Sequence, residues 1–163
     1  MEQSSRKVGT MEIPNYRSDL STDEKTLIAI VRAAEGFKRA ASAIFRNYDL
    51  SFPQYNILRV LNATKNGQSR ITEVSRIMLV PGANMTSTAK RLEKNGYILR
   101  KSDKNDERVT LLEITPKGKK TLDAIEKEQD LLLKNILQDF SQREKEDLLA
   151  KVKKLIKNIR QTA

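Results

Sequence analysis

Apolar positions recur along most of this chain at steps of three and four, the period of a helix with one buried face. Ser21-Thr22-Asp23-Glu24 has capping-box spacing, a serine followed three residues later by a glutamate, and opens a first helix. Leu27, Val31, Ala34, Phe37, Ala41 and Ile44 form its greasy face, and it should end near Tyr48. Ser51-Phe52-Pro53-Gln54 starts a second helix, because the serine caps and an early proline forfeits no helical hydrogen bond. Ile57, Leu58 and Leu61 give it an inner face, and Asn66-Gly67 stops it. Ile71 is expected to make one short strand contact. Thr72 can cap a third helix with Val74, Ile77 and Met78 inward, and Pro81-Gly82 makes the turn that follows.

A fourth helix is predicted over about residues 83–95, with Met85, Ala89 and Leu92 inward. Gly96 sits where a left-handed helix end needs a residue without a side chain. Residues 97–101 and 109–114 are strand-like, and residues 102–108 join them at a charged tip. Thr115-Pro116 opens a fifth helix with Leu122, Ile125, Gln129, Leu132, Leu133 and Ile136 on one face. Ser141-Gln142-Arg143-Glu144, a further capping box, opens a last helix with Leu148, Leu149, Val152, Leu155, Ile156 and Ile159. Over residues 72–115 the order is helix, tight turn, basic helix and hairpin, which is that of a winged helix-turn-helix. The expected fold class is mainly α with a small β wing: a winged helix-turn-helix plus a helical dimerisation region. Residues 1–20 read as an N-terminal arm, 21–50 and 116–163 as the helical dimerisation region, and 51–115 as the DNA-binding domain.

Charge sharpens this picture. The chain has 163 residues, 31 basic and 21 acidic, a net of +10, which favours a polyanionic partner. Residues 67–120 hold 12 of the basic and 6 of the acidic residues, so +6 falls on a third of the length. There is no cysteine and no histidine. Disulfides, thiolate or imidazole metal sites, cysteine oxidation sensing and histidine acid–base chemistry are therefore excluded. No glycine-rich phosphate loop or nucleophile motif is present, which argues against an enzyme, and no cofactor is implied. No apolar run approaches the ~20 residues of a membrane span. The first 20 residues lack the apolar core of a signal peptide, so the expected compartment is the cytoplasm.

The fourth helix carries the candidate reading chemistry. Asn84 can bridge adenine N6 and N7, and Lys90 or Arg91 can bridge guanine O6 and N7. Thr86, Ser87 and Thr88 can reach phosphates or base edges, and Lys94 and Lys101 add positive charge. Arg108 at the hairpin tip can enter a narrow minor groove, and a neighbouring carboxylate could hold it in place. The bland alternatives are an ordinary exposed amphipathic helix and a solvated turn whose charges pair among themselves.

Three further patterns resemble a known family, the multiple-antibiotic-resistance (MarR) regulators. Asn84-Met85-Thr86 running into Arg91-Leu92-Glu93-Lys94-Asn95-Gly96-Tyr97-Ile98 is similar to its recognition helix and exit. Asp103-x-x-Asp106-x-Arg108 resembles its wing, and Leu112-x-Ile114-Thr115-Pro116-Lys117-Gly118 its strand-to-helix junction. The resemblance covers about residues 25–160. It implies a homodimer knit by the first, fifth and sixth helices, which reads a pseudo-palindrome in double-stranded DNA, more commonly as a repressor. It also implies Arg108 as the minor-groove arginine with Asp106 as its orienting partner, and Thr86, Ser87, Lys90 and Arg91 facing the major groove. In many members a small aromatic or anionic effector releases the DNA; Phe37, Phe45, Tyr55 and Arg59 fall near that pocket, where the plain alternative is core and rim. Glu107 stands where the family is usually basic, Ser87 where it is often arginine and Lys90 where it is often acidic, so an operator sequence does not carry over.

Two questions stay open at this level. The stripes of the last two helices exceed what a small winged helix covers, which points to a partner subunit, or else they bury each other in an intrachain hairpin. A winged helix can also serve protein contacts, or bind DNA architecturally with affinity governed by salt and little sequence preference.

Overall fold

The computed structural model describes residues 19–78, 82–103 and 106–162. The chain divides into two compact units, one ending at Phe37 and the other starting at Lys38, so the division falls inside the first helix. The expected arm up to residue 18, Pro81 of the expected turn, and Lys104 and Asn105 of the wing lie outside the described residues.

Helix α1 (Thr22–Arg46) begins where the capping box places it. Ser21 Oγ accepts from the Glu24 amide at 3.2 Å, and the Glu24 carboxylate accepts from the Ser21 amide at 2.9 Å. The Ser21 amide, and the Ser21 hydroxyl that also donates to the carboxylate at 2.9 Å, hold the Glu24 carboxyl below its ordinary pKa. In the N-terminal unit Leu27 and Val31 are exposed and Phe37 is half-buried. In the second unit Ala41 and Phe45 of the same helix are fully buried.

Helix α2 (Phe52–Asn62) carries a complete Ser51/Gln54 capping box with Pro53 in its first turn, and buries Ile57, Leu58 and Leu61. It ends at Ala63, and the backbone then turns through positive φ at Asn66 and Gly67. Strand β1 (Gln68–Arg70) and helix α3 (Ile71–Met78) follow without a spacer. The helix therefore starts two residues earlier than a Thr72 cap would allow, and Ile71 belongs to it rather than to a strand. The cause is Glu73, whose carboxylate accepts from the Ser69 hydroxyl at 2.9 Å and from the Arg70 amide at 3.4 Å. Val74 is inward as expected, but Ile77 is 58 % exposed because it borders an open groove and not the closed core.

Helix α4 (Gly82–Lys94) buries Met85, Ala89 and Leu92 as its periodicity predicts. It ends in a Schellman motif: the Tyr97 amide donates to the Leu92 carbonyl and the Gly96 amide to the Glu93 carbonyl, both at 2.9 Å. Gly96 takes φ +74°, where a side chain would be strained. Strands β2 (Ile98–Ser102) and β3 (Thr110–Ile114) form the hairpin, and β3 is central in an antiparallel sheet of order β1-β3-β2. Leu112, opposite Ser69 and Arg100, is fully buried, as is Ile98, opposite Ile114.

Thr115 caps helix α5 (Pro116–Ile136), and its hydroxyl accepts from the Gly118 amide at 3.1 Å. Leu122, Ile125 and Gln129 pack inward, but Leu131, Leu133 and Ile136 further along are exposed. Helix α6 (Gln142–Thr162) opens on the Ser141/Glu144 box and buries none of its residues. Its stripe is therefore not covered by an intrachain hairpin: Leu148, Leu149, Ile156 and Ile159 are all exposed in the single chain. Among the described residues no helix is long and apolar enough to cross a membrane.

Candidate nucleic-acid interface

Because Met85, Ala89 and Leu92 anchor one side of α4, the opposite side is fixed as the polar one. Asn84, Ser87, Lys90, Arg91 and Lys94 are exposed there, and Thr86 and Thr88 lie half-buried at its borders. The first turn contains no acidic residue, so the positive end of the helix dipole is not neutralised and suits an approaching phosphate. Ser87 and Thr88 donate their hydroxyls to the Asn84 carbonyl at 3.0 and 2.7 Å, a local bond available to short hydroxylated side chains in a helix. Glu93 ties α4 to the wing, accepting from the Arg100 amide at 3.1 Å and lying 3.5 Å from its guanidinium.

The wing is built from its base. The Asp103 amide donates to the Val109 carbonyl, and the Val109 amide to the Asp106 carbonyl, each at 2.9 Å. The Asp106 carboxylate accepts from the backbone amide of Arg108 at 3.0 Å. That contact holds the backbone at 108, where the resemblance implied Asp106 as the orienting partner of Arg108; the Arg108 side chain is exposed. Arg70 of β1 reaches Asp103 at 3.5 Å, joining the wing base to the start of α3. Lys101 lies 2.5 Å from Glu113 on the neighbouring strand, so part of its charge is spent within the sheet.

Behind α4 lies a polar junction that the sequence motif located but did not explain. Lys117 donates to the Asn95 carbonyl at 2.7 Å, and its ammonium stands 4.6 Å from the Tyr97 ring centroid. Tyr97 donates its hydroxyl to the Tyr48 carbonyl at 2.8 Å, and Tyr48 donates to Glu128 of α5 at 2.6 Å. Burial pushes the Tyr97 phenol above its ordinary pKa, with the charge of Asp49 adding to the shift, so it stays a donor at neutral pH. Nothing local in the sequence pairs residues 80 positions apart, as Tyr48 and Glu128 are.

Of the four residues expected near an effector pocket, Phe45, Tyr55 and Arg59 belong to the second unit. Phe45 and Tyr55 stack with centroids 4.0 Å apart and are buried, and the Tyr55 hydroxyl donates to Gln129. Burial raises the Tyr55 phenol, opposed by the charge of Arg59. Arg59 is exposed, with its guanidinium 5.9 Å from the Tyr55 ring, and it lines an open groove of about 600 Å³ with Lys38, Phe52, Val60 and Met78. Phe37 is a half-buried residue of the N-terminal unit.

Residues 39–125, more than half of the chain, match the family model described as transcriptional regulator SarA/Rot. The HTH-type transcriptional regulator BilQ of Clostridioides difficile (strain CD3) is 30% identical over 120 residues, 74% of this chain and 80% of that one. The HTH-type transcriptional regulator TtmR of Methylorubrum extorquens (strain PA1) is 32% identical over 99 residues, 61% of this chain, and the match spans only 50% of TtmR's own length. Among solved structures, the organohalide-sensing RdhR-CbdbA1625 regulator in its 2,4-dichlorophenol-bound form superposes with a TM-score of 0.79 at 18% identity, over 92% of this chain and 88% of that one. A MarR protein from Peptoclostridium difficile gives 0.78 at 20% identity, over 91% and 94%. At these identities the superpositions speak for the fold.

Proposed function

The chain belongs to the MarR-like winged-helix transcriptional regulators of the SarA/Rot kind, and on that premise we propose that it binds a pseudo-palindromic DNA operator as a homodimer, acting as a repressor. The observation that carries the proposal is α4, whose exposed Asn84, Ser87, Lys90 and Arg91 stand on a rigid apolar base, beside a wing that presents Arg108. In this reading Thr86, Ser87, Lys90 and Arg91 face the major groove with Asn84, where Asn84, Lys90 and Arg91 meet base edges, and Thr88 and Lys94 meet backbone. Lys101 adds charge at the wing base, and Arg108, its backbone held by Asp106, enters the flanking minor groove. Residues 51–115 form the reading domain, and residues 21–50 and 116–163 join the subunits. Selection from randomised duplexes at near-physiological salt tests this: an enriched pseudo-palindrome with half-sites about one helical turn apart is expected. Recovery of unselected sequences would point instead to an architectural or protein-contact role.

Arg91→Ala is expected to relax base choice in each half-site at a cost of about 1–3 kcal/mol. The check is competition among single-base operator variants. Unchanged discrimination would reduce Arg91 to a phosphate contact.

A ligand-released regulator is supported by the groove. Its walls are apolar, and Lys38 and Arg59 both line it, which suits an anionic aromatic molecule. Titrating phenols and phenolic acids into the preformed DNA complex is expected to release DNA, and Arg59→Gln is expected to blunt that release. Release that is unaffected by the substitution would move the site elsewhere.

A further inference from the structure

We propose that Lys117 is a positioning residue for DNA reading, which fastens the exit of α4 to the first turn of α5 without itself touching DNA. The inference rests on the operator-binding reading above. At the exit of α4 three successive carbonyls are taken up by that first turn. Lys117 Nζ donates to Asn95 at 2.7 Å, and the Thr115 hydroxyl lies 2.8 Å from the Gly96 carbonyl and 3.0 Å from that of Tyr97. The Thr115 amide also donates to Tyr97 at 3.0 Å. The Thr115 hydroxyl and amide serve the Gly96 and Tyr97 carbonyls, and the Lys117 ammonium serves that of Asn95. It is also a full positive charge at the negative end of the α4 dipole.

The same ammonium stands 4.6 Å from the Tyr97 ring centroid. Tyr97 in turn reaches the Tyr48 carbonyl, and Tyr48 reaches Glu128, so the exit of α4 is joined to α5 at its first turn and again at its middle. A tilt of α5 relative to the sheet must carry the exit of α4 with it. At ~1.5 Å per residue, the 13 residues of α4 separate this exit from the DNA-facing first turn by about 20 Å. Lys117 therefore acts on the attitude of the helix and not on a phosphate at its start.

The test uses the full chain, its selected operator and an unrelated duplex of equal length. Lys117→Met keeps an unbranched side chain of similar length and removes the donor and the charge, including the ammonium beside the Tyr97 ring. Operator affinity is expected to fall about tenfold, the scale of one lost charge-assisted hydrogen bond, while affinity for the unrelated duplex changes less than about twofold. Lys117→Arg is expected to restore most of the ratio, and amide exchange at Gly96 and Tyr97 to quicken in the methionine variant alone. Equal losses on both duplexes, with a shallower salt dependence, would make Lys117 a phosphate contact and overturn the inference. So would an unchanged ratio, whatever the melting temperature does. A wild-type chain without operator preference would defeat the sequence-reading proposal first and this inference with it, whereas a discriminating wild type beside an indifferent Lys117→Met defeats the inference alone.

Discussion

Lysine at both Leu149 and Ile156 is expected to leave the protein folded but monomeric, near the 18.6 kDa of one chain in light scattering, with operator affinity lower by about a thousandfold. The two residues lie seven apart on α6, at 53% and 44% exposure, and no residue of α6 is buried within the chain. Covering such side chains in a partner interface contributes about 1.5–3 kcal/mol each when burial is complete, and a buried unpaired ammonium reverses the sign. The affinity loss is larger than either half-site's own contacts would suggest. A linked second reading helix works at an effective concentration set by the tether, an advantage of about 10²–10⁴ that a monomer forfeits. Since α6 contributes nothing to the intrachain core, far-ultraviolet circular dichroism should show the winged helix retained in the monomer, with the loss of helicity falling on α6, which has no packing within its own chain. An unchanged mass would place the subunit contact on another surface, and wild-type material already at 18.6 kDa would remove the dimer from the proposal.

Gly118→Ala carries the second large effect, and its sign is informative. Helix propensity alone predicts a gain of about 1 kcal/mol, because alanine suits a helix better than glycine. The local geometry opposes this. A Cβ at 118 would sit 2.5 Å from the Tyr97 carbonyl oxygen and 2.7 Å from Ile114 Cγ1. The carbonyl is backbone, already held by the Thr115 amide and hydroxyl, and Ile114 is only 5% exposed in the core, so neither can yield cheaply. Overpacking of this kind costs about 1–3 kcal/mol or more, enough to outweigh the propensity gain and lower the melting temperature by several degrees. Gly36→Ala is the internal control: its Cβ would meet nothing within 4 Å, so propensity should win there. If Gly118→Ala stabilised the protein as Gly36→Ala does, the close seating of α5 on the exit of α4 would be wrong, and with it the basis for assigning Lys117 a positioning role.

Particular residues show how far sequence reasoning reached. Ser21, Ser51, Thr115 and Ser141 each cap the helix their spacing announced, because a cap bonds to an amide three residues away and needs no other part of the chain. Met85, Ala89 and Leu92 are buried as the period of α4 required. Thr72 failed as a cap because Glu73 reaches back to Ser69 and Arg70, a competing local solution that the spacing equally permits. Ile77 failed as core because two turns of helix have too few neighbours to close over every apolar residue they carry. Asp106 was identified as an orienting group, but whether it would hold a guanidinium or an amide depends on the path of the turn.

The sequence by itself determined most of the elements and their order, the polar face of α4 and the apolar stripe of α6, since periodicity, caps and breakers act within about four residues of one another. Only the tertiary structure decided which distant polar groups meet. Lys117 finds the Asn95 carbonyl, Tyr97 the Tyr48 carbonyl and Tyr48 the Glu128 carboxylate through the packing of α5 against the winged helix. Such pairings follow from how helices settle on a shared core, and a lysine or tyrosine in a one-dimensional pattern carries no mark of the carbonyl it will face.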